Sequence, residues 1–176
     1  ASIEGCTMRI LDFSYPSKYA GREDLIKKSK KEGEGTPKNY AKVIVSVKAK
    51  SIKGEATTAL RVLDIQRAVW CLFANSSMEI TGDEWSPINK IRLGGVHTVH
   101  KESGKLASDI FWYEPGFVEV QSFKPQNVEI FTQKAKWALT QLEALPYSAV
   151  MKDALLRFVR ALDERDQNVA LIRLWG

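Results

Sequence analysis

Metal and redox ligands are scarce in this chain of 176 residues, which has two cysteines and two histidines. Cys6 and Cys71 stand far apart in apolar surroundings, with neither a CxxC nor a zinc-ligand spacing. The expectation is two buried free thiols, with an oxidised pair left open. There is no HExxH and no ligand cluster, so a metal site would have to be built from carboxylates, and no DxD spacing offers one. We therefore expect no metal and no cofactor. Long apolar runs are missing as well. None approaches the roughly 18 residues of a membrane-spanning helix, and the opening of the chain lacks the charged, apolar, small-residue order of a signal peptide. That predicts a cytoplasmic address and no membrane partner. The signatures GxSxG, GxxxxGK[ST] and GxGxxG are absent, as is the kinase set, which removes the usual support for hydrolase, nucleotide-phosphate and dinucleotide readings.

At 44% hydrophobic and 27% charged residues, what is present has the composition of a folded domain. The net charge of +5 invites a nucleic-acid reading, but the placement of charge matters more than its sum. Lys27, Lys28, Lys30 and Lys31 fall in KKSKKEGEGTPKNY. That stretch reads as a mobile surface loop, and its lysines as candidate phosphate contacts that would bring salt dependence without sequence preference. The start, ASIEGCTMRIL, has no initiator methionine, and NVALIRLWG stops within an apolar helical pattern, so the chain is expected to be part of something longer.

Hydrophobic period divides the chain near Pro125. MRILDFSY and KVIVSVKAK alternate as half-buried strands do, whereas EATTALRVLDIQRAVWCLFAN, from Glu55 to Asn75, repeats apolar residues at helical spacing and lacks glycine and proline. It is expected as a core helix. Short strand signals return from Met78 to Phe123, among them the aromatic and β-branched DIFWYEPGFVEVQSF. Three helical stripes follow: Phe131, Ala135, Ala138, Leu139, Leu142 and Leu145; then Val150, Ala154, Leu155, Phe158, Val159 and Leu162; then Val169, Leu171, Ile172 and Trp175. The fold class expected is α+β, an N-terminal antiparallel sheet with an inserted helix over 1–124 and an antiparallel helical region over 125–176.

Both histidines lie in RLGGVHTVHK, residues 92–101. If Gly94 and Gly95 centre a tight hairpin, Arg92 stands across from His97. If Glu102–Gly104 forms a three-residue loop, Lys101 pairs with Lys105, and counting back puts His97 opposite Asp109. Arg92, His97 and Asp109 would then form one row across three strands, able to bind a phosphate or to act as a catalytic group.

The segment DALLRFVRALDERDQNVALIRLWG resembles the opening of an Apea-like HEPN domain, a helical module of bacterial defence proteins. The likeness covers about residues 150–176 and rests on a long helix ending in RALDERD and a following helix carrying ALIRLW. It implies a metal-independent ribonuclease that acts as a homodimer on RNA, in anti-phage defence and under a protein trigger, with an arginine and a histidine four to six residues apart on a helix. Arg92 and His97 match that spacing by count, but they lie upstream of the likeness and enclose two glycines, each costing about 1 kcal/mol in a helix interior. The active site is therefore expected outside this chain. The other reading is a noncatalytic module that binds a protein or a nucleic acid.

Overall fold

The computed structural model describes residues 2–12, 14–29, 40–74, 89, 91–113 and 125–175, with 110–113 described by backbone alone. The architecture is α+β. In chain order the elements are β1 (Ser2–Ile3), β2 (Cys6–Leu11), a 3-10 turn (Ser17–Tyr19), α1 (Gly21–Ser29), β3 (Lys42–Ser46), α2 (Ile52–Ala74), β4 (Val96–His100), β5 (Leu106–Tyr113), α3 (Val128–Ala144), α4 (Ser148–Leu162) and α5 (Gln167–Trp175). The chain forms two compact units. The first holds Ala1–Gly5, Leu60–Arg92 and Val120–Gly176; the second holds Cys6–Ala59 and Leu93–Glu119.

In the first unit the apolar spacing of α2 becomes a core. Val62, Ile65, Ala68, Val69 and Cys71 are buried, as are Ala135, Leu139 and Leu142 on α3 and Leu156 and Val159 on α4. Ala68, Cys71 and Val159 form one cluster, with the half-buried Ile91, Leu155, Phe158 and Leu162 packed on it. The helix ends follow from local chemistry. The Asn127 side chain accepts from the Ile130 N–H at 3.0 Å and caps α3. Leu145, which precedes Pro146, is extended and stops that helix. Asp166 Oδ1 accepts from the N–H groups of Asn168 and Val169 at 2.8 and 3.2 Å and opens α5.

The second unit contains two strand pairs. β2 and β3 run antiparallel with Met8 facing Val45 and Ile10 facing Val43. In β4 and β5 the turn is the one expected: the Lys101 N–H donates to the Lys105 carbonyl at 2.8 Å. Gly104 takes φ +90°, and a Cβ there would sit 2.7 Å from Lys18 Cβ, so only glycine lets the turn lie against the 3-10 segment. Lys18 Nζ also donates to the Glu102 carbonyl at 3.1 Å. Across the same turn, the His100 ring meets Tyr19 edge-to-face at 5.1 Å and bonds the Gly104 carbonyl through Nδ1 at 2.9 Å.

Three expectations need correction. Arg92, Leu93 and Gly94 belong to no strand, so Gly94 and Gly95 do not turn a hairpin. Lys27 and Lys28 lie in the last turn of α1, where cations complement the helix dipole, instead of in a loop. Lys30 and Lys31 fall outside the described residues. In α4 the buried face is centred on Lys152, Leu156 and Val159, whereas Val150 and Ala154 of the expected stripe are exposed.

Leu156→Ala should lower unfolding stability by about 2–5 kcal/mol, and Phe158→Ala by less than a full core deletion, since that ring is only half-buried. Denaturant titration checks both. Equal losses would mean that α4 is turned differently from its burial pattern.

Candidate functional site

Three buried polar residues, Asp64, Gln66 and Arg67, interrupt the apolar pattern of α2, and Asp64 and Arg67 lie one turn apart. Arg67 is 3% exposed, and every donor of its guanidinium has an acceptor. Nε and Nη2 both donate to Asp64 Oδ1, at 3.2 and 2.8 Å. Nη1 and Nη2 grip Asp163 Oδ1 and Oδ2, at 3.1 and 2.7 Å, and Nη1 also reaches the Ile91 carbonyl at 2.8 Å. Such a planar fork matches a carboxylate bidentately, which lysine cannot do. Burial pushes the Arg67 pKa down, but the hydrogen bonds and charges of Asp163 and Asp64 outweigh it and hold the pKa above its ordinary value. The guanidinium stays charged.

Asn89, fully buried, extends the network. Its Nδ2 donates to Asp163 Oδ1 at 2.8 Å, while its Oδ1 accepts from the Ile91 N–H at 2.8 Å and the Cys71 thiol at 3.2 Å. Arg92 joins from outside: Nη1 donates at 3.1 Å to the backbone carbonyl of Asp163, the residue that caps the C-terminus of α4. A cation there satisfies an orphan carbonyl and opposes the helix dipole. The chemistry of the whole group is mutual satisfaction, and what it does is fasten α2, Asn89, Ile91, Arg92 and the end of α4 together. The signal in the sequence was the polar DIQR within an apolar helix.

The row proposed from the sequence is not formed. His97 pairs with Trp112, and Thr98 with Phe111, while His100 pairs with Leu106. Counting back from the turn would put His97 opposite Asp109, and that register does hold at His100; a bulge between Thr98 and His100 then moves the pairing on by three residues. An odd shift also exchanges the faces of the sheet. Asp109 is exposed on β5. Arg92 belongs to the first unit, and His97 and Asp109 to the second. The side chains of Trp112 and Tyr113 lie outside the described residues. No group of three or more His, Cys, Asp or Glu among the described residues is placed to hold a metal, and no described helix is long and apolar enough to cross a membrane.

A second surface stands out on the C-terminal helices. α5 buries none of its residues: Ile172 is 69% exposed and Trp175 81%, with Val169, Leu171 and Leu174 also exposed. Its single charge, Arg173, is paired with Glu164 at 2.7 Å. On α4 the apolar residues from Leu156 round to Val150 span roughly 240° of the helix at about 100° per residue. The chain covers one flank of that arc; Tyr147, Val150 and Met151 on the other are exposed.

No family model matches the chain, and no curated protein or solved structure does.

Removing the centre of the network while keeping its bulk isolates what it contributes. Arg67→Met should destabilise by about 3–5 kcal/mol, because Asp64 and Asp163 lose the guanidinium that pairs them and only Arg160, 3.7 Å from Asp64, remains as a cation beside that carboxylate. Arg67→Lys should recover only part of that. Thermal or denaturant unfolding of the two variants reads the difference; a neutral Arg67→Met would show that the network is dispensable.

Proposed function

We propose that this chain is a noncatalytic interaction module that pairs with a second copy of itself through its C-terminal helices. The observation that carries the reading is α5, whose five large apolar residues are all exposed. A helix with five large apolar residues among nine is ordinarily covered, and nine residues are too few for an isolated helix to be stable in water. Exposed apolar surface of several hundred Å² on one protein marks an interaction site. Charge selects the kind of partner. With Arg173 neutralised by Glu164, the helix offers nothing to steer a phosphate backbone, and two copies approach without repulsion. A two-fold axis would bury the same patch on both chains.

The second reading is the N-terminal part of a HEPN-type ribonuclease effector in bacterial defence. It is favoured by the helix pair α4 and α5 joined across Asp163–Asp166, the order that the resemblance to that family calls for. Under this reading the module serves the dimer, and Arg92 and His97 are not its catalytic pair.

In sedimentation velocity at tens of µM, the protein should run as a dimer. Ile172→Asp with Trp175→Ser should run as a monomer with an unchanged melting temperature, since both residues are exposed. A monomeric parent protein over that range contradicts the proposal. Incubation with total RNA is a separate check: cleavage that disappears in His97→Ala would place chemistry in this chain and contradict both readings.

A further inference from the structure

In the second unit one hydroxyl has a base beside it. Thr98 and His100 stand two residues apart on β4, both half-buried, and Thr98 Oγ1 lies 3.0 Å from His100 Nε2. The other ring nitrogen, Nδ1, is 2.9 Å from the Gly104 carbonyl oxygen. A carbonyl oxygen only accepts, so Nδ1 carries the proton; in the neutral ring Nε2 then presents its lone pair, and the Thr98 hydroxyl donates to it. The backbone of the turn thus sets the tautomer. The ring is held in place as well. Tyr19 meets it edge-to-face with centroids 5.1 Å apart. The carbonyl that holds Nδ1 belongs to a glycine at φ +90° whose N–H donates to the Lys101 carbonyl at 2.8 Å. The irregularity in strand pairing falls between Thr98 and His100, and bulges of this kind re-aim side chains beside reacting groups.

A hydroxyl, a base within hydrogen-bond reach of it and a third group that orients the base are the parts of an activated nucleophile, here with a backbone carbonyl where a carboxylate often stands. We infer that Thr98 takes an acyl group from an activated ester, with His100 as its base. Thr98 Oγ1 bonds to the ester's carbonyl carbon as its proton passes to His100 Nε2. The bond from that carbon to the leaving oxygen then breaks, the leaving group departs with the electron pair and takes up the proton, and Thr98 is left as an ester with the ring neutral again. An activated donor suits the site, because a leaving group that departs readily asks least of the donors around the developing oxyanion. The transfer is stoichiometric and modifies the chain itself. It therefore adds a modification site to the interaction module, and it stands whether or not the helical surface dimerises.

The test mixes the intact chain with p-nitrophenyl acetate, follows the release of nitrophenolate and maps the acetyl group by peptide mass spectrometry. The expected result is a burst of about one equivalent per chain, with the acetyl on Thr98 and removed by neutral hydroxylamine, which cleaves esters and leaves lysine amides. Thr98→Val should lose the burst and Thr98→Ser should keep it. His100→Gln, which can still hydrogen-bond the hydroxyl but cannot take its proton, should slow the burst by about a hundredfold or more. Mapping on the parent protein decides the matter even where a variant fails to fold. The inference is overturned if Thr98 carries no acetyl, whether the chain is unlabelled or labelled instead on a histidine ring or on the exposed Lys101 or Lys105 beside the turn. It is overturned equally if His100→Gln, with a melting temperature near the parent's, acetylates Thr98 as fast as the parent does.

Discussion

The first unit depends on the buried guanidinium of Arg67. Arg67 is the point where α2, Ile91 and the end of α4 meet, and all five of its donors are used within the chain. The arrangement is costly in parts and stable as a whole. Desolvating one guanidinium and two carboxylates is unfavourable, and only complete pairing offsets it. That completeness also fixes Asp163 and hence the direction in which the chain leaves α4 for α5. Asn89 and Arg92 extend the same constraint, one bonding the carboxylate and the other the backbone carbonyl of Asp163.

Much of the fold was legible in the sequence because it rests on local period. The strands at Cys6–Leu11 and Lys42–Ser46, the long helix α2 and the three helices after Pro125 all follow from spacing, proline and capping residues that act within a few positions. The candidate site was less legible because it depends on pairing across the chain. The turn at Glu102–Gly104 was counted correctly from sequence, yet one bulge moved His97 from Asp109 to Trp112. Bulges leave little trace in a pattern of alternation. Arg92 was singled out for its distance from His97, whereas the structure ties it to Asp163, 71 residues away. The Asp64–Arg67 spacing was visible in the sequence; its partner was not.

The helical stripes show a different limit. Val150, Ala154, Leu155, Phe158, Val159 and Leu162 are all apolar, and the sequence cannot say which neighbour covers each of them. Within this chain α4 buries the flank around Val159 and leaves Val150 open, while α5 exposes five large apolar residues and buries none. A stripe wider than its own chain can cover is what an interface looks like before its partner is present. On that view the polar network and the apolar surface are parts of one arrangement: the first holds α4 rigid, and the second presents what α4 and α5 have left.

The most direct measurement is thiol reactivity of an Ile172→Cys protein as its concentration is raised. Cys6 and Cys71 are buried, so the new thiol is the one that reports. The account predicts fast labelling in dilute solution, protection at high concentration, and a single cross-linked dimer on oxidation. Labelling equally fast at every concentration, with no cross-linked dimer, would contradict it.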